Sequence, residues 1–426
     1  MTRTMKNSGV EWIGEIPENW ETVRTKNVAT LSNGNSIKDD EKSQYEDSTD
    51  AIPYISTKDI DSLHNIDYCN GMYVKNDNPN FKVAHKNSIL MCIEGGSAGI
   101  KKAKLKQDVC FVNKLCCFEP KSIDSDYLYY FLNSPKYEDH FKSLMSGLIG
   151  GVSISDLKNI NCTLPPLSEQ QKIAAFLDEK CGAIDEIISK TEQSIEEYKK
   201  LKQSVITKAV TKGIRSNRPM QDSNIEWIGE IPTDWEIMKL KFVFEIKKDI
   251  AGKEGYTVLS ITQTGIKPKN ITSNEGQQAS DYSKYQLVDK GDFAMNHMDL
   301  LTGWVDISKY DGVTSPDYRV FRLKKINNCD RYFLYMMQLC YLNKIFYGFG
   351  QGVSGFGRWR LPADMFLNFL IPIPPLDEQK EIADYLDEKC AEIDTLIEKK
   401  QQFLAEIANY KKSLIYEYVT GKKEVA

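Results

Sequence analysis

The sequence predicts an α+β protein in which two mixed α/β globules are joined by two long antiparallel coiled-coil helices, with a pseudo-two-fold internal repeat. Two repeated stretches support this prediction. Residues 165–213 and 374–422 align without gaps and share roughly half of their residues, and the heptapeptide EWIGEIP occurs at both 11–17 and 226–232. Because internal repeats dictate architecture, we expect the order globule, helix, globule, helix along the chain.

Each copy of the longer repeat is predicted to form one helix, over 165–213 and 374–422. Apolar residues recur at steps that alternate between three and four, which is the seam of a coiled coil. A helix with such a narrow apolar seam must pack against another helix, and we expect that helix to be the other copy. The predicted packing residues are Leu177, Cys181, Ile184, Ile188 and Ile195 in the first copy and Leu386, Cys390, Ile393, Ile397 and Leu404 in the second.

The ends of these helices carry recognisable signals. Paired prolines open each copy and prevent a helix from extending backwards. Ser168, with Gln171 as a capping box, and Asp377 are the predicted N-caps. Gly213 and Gly421 are the predicted C-terminal stops.

The globules are predicted at 1–164 and 214–373, and the polar segment 214–223 is expected to be a linker. Outside the repeats their sequences differ almost completely. Because the repeated stretches are constant and the globules differ, we expect one scaffold that presents two recognition domains with different specificities. The predicted strands are 51–57, 88–93, 110–118 and 160–164 in the first globule and 257–262, 292–296, 318–323 and 367–373 in the second, with helices at 127–133 and 332–342.

Composition narrows the class of protein. The net charge is −5 with a pI near 5.7, which argues against a general nucleic-acid coat protein but not against local basic patches. No apolar run reaches membrane-spanning length and no signal peptide opens the chain, so we expect a cytoplasmic protein without a membrane partner. The ten cysteines form no CxxC or Cys/His pattern, so no metal site is expected and most should be small core residues.

Two segments resemble known nucleotide-binding or catalytic motifs, but neither matches its motif fully. Residues 95–101 resemble a phosphate-binding loop, but the glycine spacing is short and Ser or Thr is missing after the lysine. The neighbouring Lys101, Lys102 and Lys104 are either a solvated charge run or phosphate contacts. Residues 315–318 (SPDY) loosely resemble the signature of adenine-N6 methyltransferases, yet a turn entering a strand explains them better. No catalytic residues are predicted.

Glycine-rich loops precede the last strand of each globule, at 146–153 and 348–360. Small residues let backbone approach a ligand closely, while Gln, Ser and Arg can bond to base edges or phosphates. The alternative is that each loop is only a flexible connection between elements. The predicted DNA contacts are Lys101, Lys102, Lys104, Ser146, Gly150, Gly151, Ser153, Asn296, His297, Gln351, Gly352, Ser354, Arg358 and Arg360.

The chain resembles the specificity subunits of type I restriction-modification systems. The resemblance rests on one order of parts that occurs twice: EWIGEIPxxW, a globule, PPL-[SD]-EQ and IAx[FY]LDEKCxxID. The resemblance covers nearly the whole chain. It implies two target recognition domains that read the halves of a split, asymmetric site in double-stranded DNA. The helices would act as a spacer of fixed length, and the chain would have no catalysis of its own.

The resemblance also implies the partners. Two modification subunits would dock on the helices, and restriction subunits with translocase and nuclease activity would join them. S-adenosylmethionine, ATP and Mg²⁺ would bind on those subunits and no cofactor on this chain. A self-contained DNA methyltransferase and a coiled-coil scaffold without a nucleic-acid role are the competing hypotheses.

Overall fold

The computed structural model describes residues 3–147, 150–270, 279–324, 328–353 and 358–425. Its contacts divide the chain into two compact units. The first unit comprises Met1–Glu192 and Gln401–Ala426, and the second comprises Gln193–Lys400. Each unit therefore contains one globule, part of one long helix and part of the other.

The elements of the first globule are short strands and helices that precede the first long helix. In chain order they are β1 (Met5–Asn7), β2 (Glu15–Pro17), β3 (Glu21–Arg24), α1 (Thr25–Val28), β4 (Ala29–Asn33), β5 (Ala51–Ile55), β6 (Tyr73–Lys75), β7 (Val83–Ala84), β8 (Ile89–Cys92), β9 (Lys102–Lys104), β10 (Val109–Phe111), β11 (Leu115–Pro120), α2 (Ser125–Leu132), α3 (Pro135–Ser143), α4 (Ile154–Asn159), β12 (Asn161–Leu164) and the long helix α5 (Leu167–Lys212). Two 3₁₀ helices lie at Asp39–Tyr45 and Thr57–Asp59.

The second globule follows the same plan. Its elements are β13 (Met220–Asp222), β14 (Glu230–Pro232), β15 (Glu236–Lys239), α6 (Leu240–Val243), β16 (Phe244–Lys247), β17 (Leu259–Thr262), β18 (Gly265–Pro268), β19 (Gln286–Val288), β20 (Phe293–Met295), β21 (Val305–Ile307), β22 (Gly312–Thr314), β23 (Arg319–Leu323), α7 (Asp330–Leu342), α8 (Ile345–Gly348), β24 (Gln351–Val353), β25 (Arg358–Arg360), α9 (Ala363–Asn368), β26 (Leu370–Ile373) and the long helix α10 (Leu376–Val419).

The two globules have matching sheets although their sequences differ. An antiparallel four-stranded sheet runs in the order β4-β11-β8-β9 in the first and β16-β23-β20-β21 in the second. A second sheet, β6-β5-β10-β7, contains the parallel pair β5–β10. In the second unit its counterparts are the pairs β17–β18 and β19–β22, connected by a parallel bridge between Val258 and Val313.

Most predicted elements are found close to their expected positions, with three differences. The predicted strand 110–118 is two strands, β10 and β11, separated by an exposed turn at Asn113 and Lys114. The first part of the predicted strand 367–373 is the end of helix α9. The predicted linker 214–223 contains strand β13, and Arg215 within it forms ion pairs with Asp377 and Glu381.

The long helices start two residues earlier than N-caps at Ser168 and Asp377 would place them. Because α5 begins at Leu167 and α10 at Leu376, Ser168 and Asp377 lie inside the first turn and are not N-caps. The predicted C-terminal stops are present. Gly213 and Gly421 follow the helix ends with φ of +75° and +70°, a region that favours glycine.

Antiparallel pairing of the long helices is visible inside each unit. In the first, the Phe176 and Tyr418 ring centroids are 4.5 Å apart and Lys411 lies 2.6 Å from Asp185. In the second, Lys202 lies 2.6 Å from Asp394. Partners thus move backwards along α10 as α5 advances, which confirms the predicted antiparallel coiled coil and the α+β fold.

The apolar seam lies between these helices. Ile188, Ile397 and Leu404 are half-buried, and the other predicted packing residues are buried: Leu177, Cys181, Ile184, Ile195, Leu386, Cys390 and Ile393. Seam residues also join the core of the globule beside them, because Leu177 packs in one cluster with Tyr127 and Leu386 in another with Tyr332. The helices are therefore integral to both cores.

Repeated motif residues form equivalent hydrogen bonds in the two units. The Trp20 indole donates to Glu169 at 3.0 Å, and the Trp235 indole donates to Glu378 at 3.0 Å. Each glutamate also pairs with an arginine, Arg3 in the first unit and Arg218 in the second. This explains why EWIGEIPxxW and PPLxEQ occur together: the first motif supplies the indole and the second the carboxylate.

The end of each long helix is held by a buried tyrosine. The Tyr127 hydroxyl donates to the Val419 carbonyl at 3.1 Å and lies 2.7 Å from the Thr163 hydroxyl. In the second unit the Tyr332 hydroxyl lies within 3.2 Å of the Val210 carbonyl. The last turn of α10 is thereby fixed in the first unit and that of α5 in the second.

Nine of the ten cysteines are buried and Cys69 is exposed, as expected for small core residues in a chain without disulfides. No helix among the described residues is long and apolar enough to cross a membrane. In the same part of the chain, no group of His, Cys, Asp and Glu side chains could hold a metal ion.

Candidate nucleic-acid interface

The predicted glycine loop of the first unit is tied to the turn after β8. Gly95 donates to the Gly150 carbonyl at 2.9 Å, and Val152 donates to the Ile93 carbonyl at 3.0 Å. Gly150 has a φ of +68°. These bonds bring predicted residues 146–153 against the turn 94–99, so the two glycine-rich segments form one surface. Leu148 and Ile149 of the loop lie outside the described residues.

Individual residues of this loop have different roles. The Ser146 side chain is exposed, and Ser146 pairs with Gly151. Ser153 caps helix α4, since its hydroxyl accepts from the Asp156 amide and donates to the Asp156 carboxylate. Ser146 is thus available for a DNA contact, whereas Ser153 is already engaged in its own helix.

The predicted lysine cluster is not a phosphate site as a whole. Lys102 is fully buried, with its ammonium 2.8 Å from the Leu132 carbonyl and 2.9 Å from the Glu138 carboxylate. Burial lowers the pKa of Lys102, and the charge of Glu138 opposes that shift. Because this ammonium cannot reach solvent, the prediction that Lys102 contacts DNA is wrong.

The flanking lysines are also engaged. Lys104 forms an ion pair with Asp126. Lys101 donates to the Thr57 carbonyl at 2.8 Å and is half-buried. Lys114, which sequence reasoning missed, lies beside this segment because its carbonyl accepts from the Ile93 amide. It is exposed in the turn between β10 and β11, so it can replace Lys102 as a candidate cation.

In the second unit the glycine-rich segment forms a hairpin. Strands β24 and β25 pair Gln351 with Arg360 and Gly352 with Trp359. The Trp359 indole donates to the Tyr347 carbonyl at 2.7 Å and stacks on the Tyr347 ring. Gly350 is required there because a Cβ would lie 2.4 Å from the indole nitrogen.

This hairpin lies against the segment that carries Asn296 and His297. Leu300 donates to the Trp359 carbonyl at 3.1 Å, and Leu361 donates to the His297 carbonyl at 2.9 Å. The structure thus brings together predicted residues that are more than 50 positions apart, with Gln351, Gly352 and Arg360 exposed on the hairpin. Ser354 lies outside the described residues, and only the backbone of Arg358 is described.

His297 does not act as a cation. Desolvation, followed by the charges of Arg319 and Arg360, lowers the pKa of His297 to about 3. Its Nδ1 is buried without a hydrogen-bond partner among the described residues. A neutral imidazole at physiological pH can contact a base edge, but it cannot neutralise a phosphate.

Sequence reasoning missed a polar cleft of about 420 Å³ beside this segment. Its lining includes Ser260 of β17, Asn296 and Met298 after β20, and Ser315 and Asp317 from the turn before β23. A signal was available: binding residues are disproportionately found on loops, and residues 315–318 are predicted to form a turn. Only the topology shows that the three segments meet.

The comparisons with known proteins decide the family. The profile described as type I restriction modification DNA specificity domain matches residues 17–197 and 232–406, which is most of the chain. This chain belongs to the type I restriction-modification DNA specificity family. The function of the chain is accordingly that of a specificity subunit, which recognises DNA and has no catalytic activity of its own.

Two curated relatives illustrate matches over nearly the whole length of this specificity subunit. The type I restriction enzyme MjaVIII specificity subunit of Methanocaldococcus jannaschii is 29% identical over 429 residues, covering 96% of this chain and 94% of the relative. The EcoDI specificity subunit of Escherichia coli is 24% identical, covering 96% and 90%.

Solved structures show the same fold at low identity. A chain from a study of complex assembly and conformational transition in the type I R-M system has a TM-score of 0.70 at 15% identity, covering 96% of this chain and 99% of that one. The HsdS subunit from Thermoanaerobacter tengcongensis has a TM-score of 0.50 at 15% identity, covering 96% and 98%.

The site of this specificity subunit differs between the units at equivalent positions. The turn between β22 and β23 carries Asp317, whereas the turn between β10 and β11 carries Asn113 and Lys114. Matching strands therefore end in turns of opposite charge. Two readers of one topology with different chemistry are expected to prefer different bases.

Proposed function

We propose that this chain reads a bipartite, asymmetric target in double-stranded DNA, one half-site with each unit. One observation carries the proposal: the two units share one strand topology, but the turns and loops at the ends of equivalent strands carry different side chains. A reader of fixed geometry can change its preferred bases through these side chains without changing its fold.

The DNA contacts proposed for the first unit are Ser146, Gly150, Gly151, Lys101 and Lys114. Those proposed for the second unit are Asn296, His297, Gln351, Gly352 and Arg360, together with Ser354 and Arg358. Phosphate contacts position a protein on DNA, and base contacts specify sequence. Arg360 and Lys114 are assigned to phosphates or guanine, and the neutral groups to base edges.

The test is sequencing of methylated sites in cells that carry this chain with its modification subunits. We expect one motif of two unequal parts separated by a constant gap. A palindromic or undivided motif would contradict the proposal. The salt dependence of DNA binding adds a second measurement, because each lost phosphate contact reduces the slope of log K against log salt by about 0.9.

We also propose that modification subunits dock on the long helices. Both units expose large apolar side chains there: Ile187, Phe403 and Tyr410 in the first, and Leu201 and Leu396 in the second. Exposed apolar residues on a helix whose other face is already packed are typical of an interface. Phe403→Ser is expected to weaken co-purification with the modification subunit, whereas Lys190→Ser, which changes an exposed charged side chain of α5, should not.

The partners are proposed to carry the cofactors. S-adenosylmethionine is assigned to the modification subunits, and ATP and Mg²⁺ to the restriction subunits. Calorimetric titration of the isolated chain with S-adenosylmethionine is expected to give no binding heat, and addition of the modification subunit should restore it. Tight binding by the chain alone would favour a self-contained methyltransferase.

A further inference from the structure

The polar cleft of the second unit presents a hydrogen-bond donor and an acceptor to one ligand. Both Asn296 and Asp317 line it, the first from the segment after β20 and the second from the turn before β23. Tyr285 forms part of the same wall. A cleft of about 420 Å³ with these groups has the size and polarity to receive the edge of a nucleobase.

Asn296 is a fixed donor. Its side-chain oxygen accepts from the Met298 amide at 3.2 Å, which leaves the amide NH₂ to donate to a ligand. Its backbone is held on both sides, since its N–H donates to the Trp304 carbonyl at 2.9 Å and its carbonyl accepts from the Tyr341 hydroxyl at 2.8 Å. The donor is therefore positioned before DNA arrives.

Asp317 is an acceptor carried by a fixed turn. Its turn is closed by the Tyr318 amide, which donates to the Ser315 carbonyl at 3.0 Å. The buried Gln286 side chain donates to the Ser315 and Tyr318 carbonyls at 2.9 and 2.6 Å and holds the turn from behind. The Asp317 side chain is exposed, and no ion pair among the described residues engages it. A carboxylate repels phosphates, so its value at a DNA surface lies in accepting from a base.

The major-groove edges of the four bases respond differently to such a pair. Adenine presents the N7 acceptor beside the N6 amino donor, which matches an amide NH₂ and a carboxylate. Guanine presents two acceptors and thymine an acceptor with a methyl group, so neither can donate to the carboxylate. Cytosine presents an amino donor without a neighbouring acceptor and satisfies only one of the two groups.

We propose that Asn296 and Asp317 read an adenine in the half-site of the second unit, with Asp317 as a specificity-determining residue. The proposal rests on the proposed function, because it requires that the second unit reads DNA. The equivalent turn of the first unit carries Asn113 and Lys114 instead. That turn has no carboxylate acceptor, so it does not offer the same pair of groups to a base.

The experiment compares three variants of the full chain, each expressed with the modification subunits and given a library of randomised target sites. Asp317→Ala is expected to leave both half-sites recognisable while preference for adenine at one position falls about tenfold. Asn296→Asp keeps the acceptor for the Met298 amide and removes the donor, so it should relax the same position. Asp249→Ala removes an exposed carboxylate outside the cleft and should leave the motif unchanged.

Two results would overturn the assignment. One is a wild-type motif without an adenine in the half-site that second-unit variants affect. Another is an unchanged motif in Asp317→Ala with normal methylation. Thermal unfolding of the variants distinguishes lost readout from lost folding. If wild type gives no bipartite motif at all, the proposed function has failed, whereas an intact motif that ignores Asp317 refutes only this inference.

Discussion

Replacing Glu138 with Gln should destabilise the first unit strongly, because it leaves the Lys102 ammonium buried without a counter-charge. The Lys102 side chain has no exposed surface, and once the carboxylate is gone its ammonium keeps only uncharged acceptors, such as the Leu132 carbonyl at 2.8 Å. Breaking one partner of a buried ion pair typically costs about 3–5 kcal/mol. Since the Glu138 side chain is 26% exposed, we expect about 3 kcal/mol.

The measurement is thermal unfolding of the full chain, followed with a probe in the first unit. For a unit of this size, about 3 kcal/mol corresponds to a fall in Tm of about 6–12 °C. The matched control is Asp139→Asn, which removes the same charge from an exposed neighbour on α3 and should change stability by less than about 0.5 kcal/mol.

The pH dependence gives a second, independent signature. The pKa of Lys102 is already lowered by burial, and loss of Glu138 removes the largest influence that raises it. Between the folded and unfolded pKa values the unfolded chain binds more protons, so stability rises with pH. The deficit of Glu138→Gln against wild type should therefore shrink as the pH rises toward the ordinary pKa of lysine.

Lys102→Met separates the structural role from a DNA role. The methionine removes the buried charge and leaves Glu138 at the edge of the pair, where water can solvate it, so the loss of stability should be small. The salt slope of DNA binding should match that of wild type. Equal unfolding of Glu138→Gln and Asp139→Asn, or a salt slope reduced by about 0.9 in Lys102→Met, would refute this reasoning.

Three further predictions concern the helix ends and the histidines. Tyr127→Phe leaves the buried Val419 carbonyl with one bond fewer and should cost about 1–2 kcal/mol in denaturant unfolding. Gly421→Ala should lower Tm more than Gly14→Ala: both have positive φ, but a Cβ at position 421 would lie 2.3 Å from a proline side chain, whereas nothing surrounds one at position 14. In an NMR titration His85, whose pKa is raised by its bond to Asp108, should titrate above the ordinary histidine range, whereas His297 should remain neutral down to about pH 4.

The helical frame could be predicted because its signals are local. Heptad spacing, paired prolines and glycine stops all act within a few residues, so α5 and α10 lie where the sequence indicates. The exact N-termini could not be predicted from Ser168 and Asp377, because other side chains hold the start of each helix. The Gln170 side chain bonds to both the Pro165 carbonyl and the Asp124 amide, and the Asp124 partner is distant in sequence.

The lysine cluster was misinterpreted because its partners are remote in sequence. Residues two apart on a strand share a face, so Lys102 and Lys104 point the same way from β9. That face packs against helices α2 and α3, where Glu138 forms an ion pair with Lys102 and Asp126 one with Lys104. A charge run in one strand cannot reveal whether acidic side chains 22 or 36 positions later cover it.

The cleft was missed for the same reason, because its lining residues are remote in sequence. Residues 315–318 read correctly as a turn, but a turn has no obvious function until a neighbouring segment is known. Asn296 becomes its partner only because β20 and β23 are adjacent in the four-stranded sheet. Contacts between distant segments therefore decided both the error at Lys102 and the omission of Asp317.

Repeated and divergent residues serve separate tasks, and this separation has a consequence for how target preference can change. The repeated Trp, Glu and Tyr side chains bond to the helices, as Trp20 does to Glu169 and Trp235 to Glu378. The divergent side chains, such as Lys114 and Asp317, are exposed in turns between strands of the globules. Substitutions in those turns can alter base preference at little cost in folding free energy, whereas substitutions in the repeated motifs weaken the frame for both half-sites.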